Sequence, residues 1–211
     1  MAFATAIGAE PRPLRWDIPL PDRDRAFAGQ YLSEGRPLVV ISPCSSQRAR
    51  NFRNWRVENF AAVIEHLENR YAARVVLTGG PSALERDYGE RLAAGSGAAN
   101  LVGRTTLQQV GALIAAAELV ICPDSGPAHM ATAFGTTVIG LYATSNPDRT
   151  GPYLSQKYTI NRYPDAIRRY LGKNVSEVRW GRRVRDADAM DLVTVADVVT
   201  SVDHFFEDRG I

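Results

Sequence analysis

Residues 119–131 have the sequence Leu119-Val120-Ile121-Cys122-Pro123-Asp124-Ser125-Gly126-Pro127-Ala128-His129-Met130-Ala131. The apolar, partly β-branched start of this stretch is typical of a strand covered on both faces. Asp124 or Ser125 can cap the helix that follows, and Pro127 fits the first helical turn. Because the free N–H groups at a helix start attract anions, the turn is predicted to hold a phosphate, with Ser125 and His129 within reach. The alternative is a well-capped helix with no ligand.

The same alternation of strands and helices continues on both sides of this stretch. We predict strands at 37–41, 74–78, 100–103, 119–122 and 137–142, with a short sixth strand at 157–160. Helices are expected at 58–69 and 82–94, from a capping box of Thr105 and Gln108 to Ala117, after Gly126 as far as Gly135, and after Thr194. This alternation predicts an α/β fold, a Rossmann-like doubly wound parallel sheet with helices on both faces.

Two polar loops are expected to meet above this sheet. In the common strand order 3-2-1-4-5-6, strands one and four are neighbours, and ligands bind above their carboxyl ends. The loops in question are 44–53 and 123–129. The second supplies a helix start, and the first supplies Ser45, Ser46, Gln47, Arg48, Arg50 and Arg53. Hydroxyls, cations and backbone donors together suit a diphosphate, although the arginines also fit a solvated basic loop.

The chain divides into two parts by composition. Residues 1–35 form an arm rich in proline and charge, with one short helix at 22–32, and residues 36–211 form the α/β domain with a C-terminal helix. That last helix carries an apolar stripe, of which we expect a part to be exposed. The stripe is Val195, Val198, Val199, Val202 and Phe206.

Composition excludes several classes of function. The 211 residues carry a net charge of only +2, which argues against nucleic acid as the main partner. The two cysteines, Cys44 and Cys122, are expected to be buried reduced thiols, which favours a cytoplasmic protein. No apolar run approaches the roughly 20 residues that span a bilayer. The sequence has neither a Gly-x-Gly-x-x-Gly nor a Gly-Lys-Ser/Thr loop, and no metal-ligand spacing, so no cofactor and no metal are expected.

Two segments resemble glycosyltransferase family 9, the family of the lipopolysaccharide heptosyltransferases. The first is Asp124-Ser125-Gly126-Pro127-Ala128-His129, followed by Ala131, Ala133, Gly135 and a Val-Ile-Gly-Leu-Tyr strand. The second, Arg53-Asn54-Trp55-Arg56-Val57-Glu58-Asn59-Phe60, is similar to the family's Lys-x-Trp-Pro segment, with Arg56 in place of the proline. Together these segments make residues from about 37 to 145 similar to the family's C-terminal half.

The resemblance implies a donor-binding role for one set of residues. They are Ser45, Ser46, Arg53, Asp124, Ser125, Gly126, Pro127 and His129. Arg53 stands where the family has lysine and would offset charge on the leaving diphosphate. The implied activity is that of an inverting, metal-independent transferase using an ADP-heptose-like donor in the synthesis of lipopolysaccharide or a related surface glycan. The alternatives are a nucleotide-sugar epimerase-like domain and a non-catalytic nucleotide-binding partner module.

The family also implies a second lobe. Its members are two-lobed, GT-B type enzymes in which the N-terminal half carries the acceptor site and the catalytic base. By this resemblance the chain is the donor half, residues 1–35 are the remnant of an interdomain linker, and the base is not among its residues. A lipid-linked or glycan acceptor would be held by a missing or separate N-terminal domain, so we expect this chain alone to bind donor and transfer nothing.

A basic region follows the predicted sixth strand. It contains Arg162, Arg168, Arg169, Lys173, Arg179, Arg182, Arg183 and Arg185. One interpretation is a solvated surface with scattered salt bridges. The other is contact with a lipid-linked acceptor or with the inner membrane face, which would make a cytoplasmic protein peripheral to the membrane.

Overall fold

The computed structural model describes residues 5–8, 16–45 and 51–211, and within them six parallel strands form one sheet. The strands are β1 (Leu38–Ile41), β2 (Arg74–Leu77), β3 (Ala99–Asn100), β4 (Leu119–Pro123), β5 (Thr137–Tyr142) and β6 (Ile160–Asn161). The helices are α1 (Asp22–Gly29), α2 (Val57–Tyr71), α3 (Ala83–Ala94), α4 (Leu107–Ala116), α5 (Gly126–Phe134), α6 (Pro147–Thr150), α7 (Tyr163–Leu171) and α8 (Val195–Arg209). Short 3-10 turns lie at Gln156–Tyr158, Val175–Glu177 and Ala189–Leu192.

The predicted strand order is confirmed. The sheet has the strand order β3-β2-β1-β4-β5-β6. Strands β2 and β3 are therefore added on one side of β1, and β4, β5 and β6 on the other. Strands β1 and β4 pair in parallel, with Val39 opposite Leu119 and Ile41 opposite Ile121. The loops after β1 and β4 therefore leave the sheet side by side.

Alternate residues of the strands pack on two different helix layers. Val39 and Ile41 belong to the core shared with α2 and α8, whereas Leu38 and Val40 belong to the core shared with α4 and α5. All four side chains of β1 are at most 2% exposed, because both faces of a doubly wound sheet are covered. The predicted fold class is confirmed.

Helix α1 lies within the predicted N-terminal arm and packs on the domain. Its Ala28 is buried in the same core as α4 and α5, and Leu20 and Phe27 pack against that core. The arm therefore contributes apolar surface to the domain from Leu20 onward. Residues 1–4 and 9–15 of the arm lie outside the described residues, and the boundary at residue 36 stays a prediction.

Three predicted element boundaries are wrong. The capping box uses Thr106 and Gln109 instead of the pair one residue earlier, since α4 begins at Leu107. The third strand ends at Asn100, because the chain then turns through Gly103 at φ +70°. The sixth strand starts only at Ile160, because the residues before it form a 3-10 turn.

The predicted exposure of a part of the C-terminal stripe holds only for Val195 and Val199, which are half-buried. Val198, Val202 and Phe206 are all 0% exposed, and Val195 and Val199 pack against the same core. Helix α8 lies against α2, and the ring of Phe206 stacks on Tyr71 with centroids 4.0 Å apart. The domain's own second helix therefore covers the stripe. In the described part of the chain, no helix is both long and apolar enough to cross a bilayer.

Trp55 fixes the segment that leads into α2. It is fully buried, its indole Nε1 donates to the carbonyl of Val193 at 2.8 Å, and its ring packs edge-on against Phe60. Its own carbonyl accepts from the Tyr88 hydroxyl at 2.9 Å. The segment before α2 is thus attached to α3 and to the chain that precedes α8.

Replacing Trp55 with Phe is expected to lower the free energy of unfolding by about 1–3 kcal/mol, because the Val193 carbonyl loses its donor and the smaller ring leaves a gap. Urea unfolding followed by circular dichroism measures this. The matched control is Trp180→Phe, since Trp180 is 61% exposed and its replacement should change stability by less than about 0.5 kcal/mol. Equal stability of the two variants would show that the Trp55 attachment contributes nothing.

Candidate functional site

The two predicted loops do meet at the carboxyl edge of the sheet. The backbone N–H of Ser42 donates to the carbonyl of Ile121 at 3.1 Å, which extends the β1–β4 pairing up to the point where the loops begin. Arg53 then crosses between the loops, and its Nη1 donates to the backbone carbonyl of Asp124 at 2.9 Å. Seventy-one positions of sequence are bridged by this one contact.

The Asp124 carboxylate is buried and held on two sides. Its Oδ2 accepts from the Ser145 hydroxyl at 2.8 Å and lies 3.8 Å from Nη1 of Arg53. Ser145 comes from the loop after β5, so three consecutive loops of the sheet edge are joined here. Sequence reasoning missed Ser145, since an isolated serine after a strand gives no signal of its own.

Ser45 lies at the predicted place, but its hydroxyl contacts neighbouring side chains. The Oγ is 2.9 Å from Oδ1 of Asn51 and 3.2 Å from Oδ1 of Asn54, and the Ser45 backbone N–H donates to Asn54 at 2.9 Å. Asn51 Oδ1 also accepts from the backbone N–H and Nε of Arg53. Ser45 and the two asparagines therefore connect residue 45 with residues 51–54, and Asn51 orients Arg53. Sequence reasoning missed these asparagines as partners of Ser45. The available signal was their position on either side of Arg53.

Ser46 lies outside the described residues, as do Gln47, Arg48 and Arg50. The predicted contacts of these four residues with a phosphate stay predictions.

The helix start differs from the expected capped one. Ser125 occupies the N-cap position of α5, yet neither it nor Asp124 gives α5 a side-chain cap, so that prediction is wrong. Asp124 does not cap the helix because its carboxylate accepts from the Ser145 hydroxyl. The buried Oγ of Ser125 has no hydrogen-bond partner among the described residues. A Cβ built on Gly126 meets no described atom within 4 Å, so the backbone there is open to a ligand. Pro127 lies in the first turn of α5 as predicted. His129 follows on the same helix, and its side chain is exposed.

A cavity of about 360 Å³ opens beside this helix start. Its apolar wall comes from Leu107, Val110 and Met130, and its polar lining includes Thr78 and Glu85. The Glu85 carboxylate is held at the N-terminus of α3, where it accepts from the Gly80 N–H at 2.8 Å and from the Ser82 hydroxyl at 2.5 Å. Sequence reasoning missed this cavity; the available signal was the Gly79-Gly80 pair after β2, which permits close approach to the backbone.

Both cysteines are free and buried, as predicted. Cys44 lines the cavity, and burial raises the pKa of its thiol to about 12, with smaller contributions from Glu85 and Asp87. Burial likewise raises the pKa of the Cys122 thiol to about 12. Among the described residues no three His, Cys, Asp or Glu side chains are grouped to hold a metal ion.

Cys44 should react slowly with iodoacetamide at pH 8. With a pKa of about 12, about one thiol in 10,000 is ionised at that pH, against roughly one in four for an ordinary cysteine, so the rate falls by about 1,000-fold or more. The rate should rise about tenfold per pH unit between pH 8 and 10, because the thiolate fraction does so below the pKa. Mass spectrometry of timed digests measures it, with the urea-unfolded chain as the reference. Rapid modification of the folded chain would contradict the buried environment.

The sheet order and the crevice above β1 and β4 define a doubly wound, Rossmann-like α/β domain, a class of fold that binds nucleotides at this edge. The sequence profile of glycosyltransferase family 9 (heptosyltransferase) matches residues 1–172. The chain belongs to this family, and the predicted resemblance is confirmed.

Relatives and solved structures agree with this assignment. The chain is 34% identical over 201 residues to the lipopolysaccharide core heptosyltransferase OpsX of Haemophilus influenzae, covering 94% of this chain and 57% of OpsX. Its fold resembles ADP-heptose lipopolysaccharide heptosyltransferase II of E. coli with a TM-score of 0.69 and 23% identity, covering 96% and 57% of the two chains.

A second similar fold belongs to a larger assembly. The iron-containing, dodecameric heptosyltransferase TibC of enterotoxigenic E. coli, solved with ADP-D-β-D-heptose, aligns with a TM-score of 0.58 at 17% identity, covering 97% of this chain and 54% of TibC. The chain thus spans between half and two thirds of the length of each of these proteins. What it shares with them is one lobe of a GT-B type glycosyltransferase.

Proposed function

We propose that this chain is the donor-binding lobe of an inverting, metal-independent glycosyltransferase. Its donor would be an ADP-heptose-like nucleotide sugar, and its product a part of lipopolysaccharide or a related cell-surface glycan. The observation that carries the proposal is the contact of Arg53 with Asp124 directly in front of the α5 N-terminus. The Arg53 guanidinium and the Gly126 backbone thus lie at the same part of the sheet edge.

This arrangement suits a diphosphate. The Arg53 side chain is 14% exposed, so its charge acts in a medium less screening than water. Its orientation is set in advance by Asn51 and by the Asp124 carbonyl, and preorganised charge needs no rearrangement when a ligand or transition state forms. At the α5 start Pro127 has no N–H and the Ala128 N–H donates to the Ser125 carbonyl at 3.2 Å, so the further backbone donor proposed is the N–H of Gly126. In this proposal Asp124 and Ser45 are positioning residues, while Arg53, Ser125, Gly126 and His129 face the donor.

The nucleoside would occupy the 360 Å³ cavity. Ser125, Gly126 and Pro127 line both the cavity and the proposed diphosphate site, so a ligand can extend from one to the other. The volume is within the range of small-molecule pockets, and the mixed lining offers apolar contact for a base and polar contact for a ribose.

The transfer step places charge on the leaving diphosphate. The acceptor hydroxyl oxygen would bond to the sugar's anomeric carbon from the face opposite the donor oxygen, while the bond to that oxygen breaks and its electron pair goes to the diphosphate. Arg53 and α5 would stabilise this charge, and a base on a second lobe would take the acceptor proton. The acceptor, lipid-linked or glycan, is proposed to lie between the lobes of a cytoplasmic enzyme, and no nucleic acid partner is proposed.

Replacing Arg53 with Gln should weaken ADP binding by about tenfold or more, since a charge-assisted hydrogen bond to phosphate contributes on the order of 1.5–3 kcal/mol. Isothermal titration of the purified chain measures the affinity. The matched control is Arg56→Gln. Arg56 lies three residues away and is exposed, with its guanidinium on Asp191, so its loss should change ADP affinity by less than about twofold.

Three results would contradict the proposal. The first is that the unmodified chain binds neither ADP nor ADP-heptose. The second is an equal loss of ADP affinity in the two variants, and the third is a loss of ADP affinity when EDTA is added. A preference for UDP-sugars would keep the transferase lobe but overturn the ADP-heptose-like donor.

A further inference from the structure

Four arginines surround a second cavity on this domain. The cavity has a volume of about 590 Å³, and its lining includes Leu171 and Gly181. The remaining lining residues, here named the arginine cluster, are Arg179, Arg182, Arg183 and Arg185. All four arginines are exposed, and Trp180 between them is 61% exposed.

The arginine cluster differs from the basic residues upstream of it. Arg162 forms an ion pair with Asp197, and Arg168 with Asp165, so that half of the basic region follows the interpretation of a salt-bridged surface. No such pair forms for the arginine cluster within residues 51–211 or the other described ranges: no carboxylate oxygen comes within 4.0 Å of any of its guanidinium groups. Four like charges crowded round one cavity repel one another, and this repulsion is relieved when an anion binds.

The backbone of the arginine cluster is anchored beside the proposed donor site. The N–H of Val184 donates to the carbonyl of Thr144 at 2.9 Å, and Val184 is 1% exposed. Thr144 directly precedes Ser145, whose hydroxyl bonds to Asp124. The Tyr163 hydroxyl fixes the same segment by donating to the Arg182 carbonyl at 2.7 Å. The cluster therefore projects from a fixed segment at the carboxyl edge of the sheet.

We propose that the arginine cluster binds phosphate or carboxylate groups of the glycan acceptor. This inference rests on the proposed function, which already provides a separate place for the donor diphosphate, so a second anion site at the same edge fits the second substrate. Arginine forks match carboxylate and phosphate oxygens in pairs. The concave form of the cluster suits a discrete anionic saccharide more than a flat bilayer, and the exposed Trp180 offers a ring face to the sugar.

The test titrates the 211-residue chain with three probes at low salt. The first is a deacylated lipopolysaccharide core oligosaccharide that keeps its phosphates and carboxylates, the second is neutral maltoheptaose, and the third is phosphatidylglycerol vesicles. We expect binding of the anionic oligosaccharide and none of maltoheptaose. The double variant Arg183→Gln/Arg185→Gln should bind the anionic oligosaccharide at least about tenfold more weakly.

The matched control is Arg23→Gln/Arg25→Gln, which removes the same charge from exposed positions of α1 on the opposite helix layer. It should change the affinity by less than about twofold. An equal loss in both double variants, no loss in the cluster variant, no binding of the oligosaccharide by the unmodified chain, or cluster-dependent binding of the vesicles alone would each overturn the inference.

ADP titrated into the same samples separates this inference from the proposed function. ADP affinity should be equal in the unmodified chain and in the cluster variant. Failure of the unmodified chain to bind ADP contradicts the proposed donor site whatever the oligosaccharide does, whereas retained ADP binding without oligosaccharide binding overturns only the acceptor site.

Discussion

The parallel pairing of β1 with β4 is the constraint on which the rest of the site depends. The strands are far apart in sequence, yet Val40 lies opposite Val120 and Ile41 opposite Ile121, and their side chains are fully buried. Because the strands run in the same direction, their polar loops emerge together at one edge. The strand order, with β1 beside β4, therefore decides which two loops meet.

Around this pairing, a half-buried polar network gives Arg53 one orientation. Asn51 accepts from its Nε, the Asp124 carbonyl accepts from its Nη1, and Trp55 holds the following segment against the core. Such a network is costly when it is incompletely satisfied, which is why it favours a single geometry. The Ser125 hydroxyl is one of four buried side-chain polar atoms without a hydrogen-bond partner among the described residues, and in the proposed function it lies beside the donor diphosphate.

The sequence was sufficient for the sheet and for the place of the crevice, because strands and helices of this fold have strong periodic signals. β5 was predicted residue for residue, and β1 and β2 within one residue of each end. The short β3 and β6 were misplaced, since two-residue strands have no period and depend on their neighbours.

The contacts inside the site were harder to predict than its place. The sequence indicated Asp124, but the bond from Ser145 depends on the spacing of β4 and β5, which local patterns do not contain. The predicted contact of Ser45 with a phosphate stays a prediction, whereas the bonds of its hydroxyl to two asparagines of its own loop were not indicated by the sequence. The coverage of the α8 stripe by α2 is a tertiary contact of the same kind, because the sequence shows an apolar face without showing what covers it.

A crystal structure of the chain with ADP is the most direct measurement of whether the two loops form one diphosphate site. We expect phosphate oxygens within hydrogen-bond distance of the Arg53 guanidinium and of the Gly126 N–H, with the adenosine in the cavity beside Met130. The proposal of one diphosphate site between the two loops would be contradicted by a diphosphate bound at the arginine cluster. It would also be contradicted by an ADP that leaves the Arg53 edge of the sheet unoccupied.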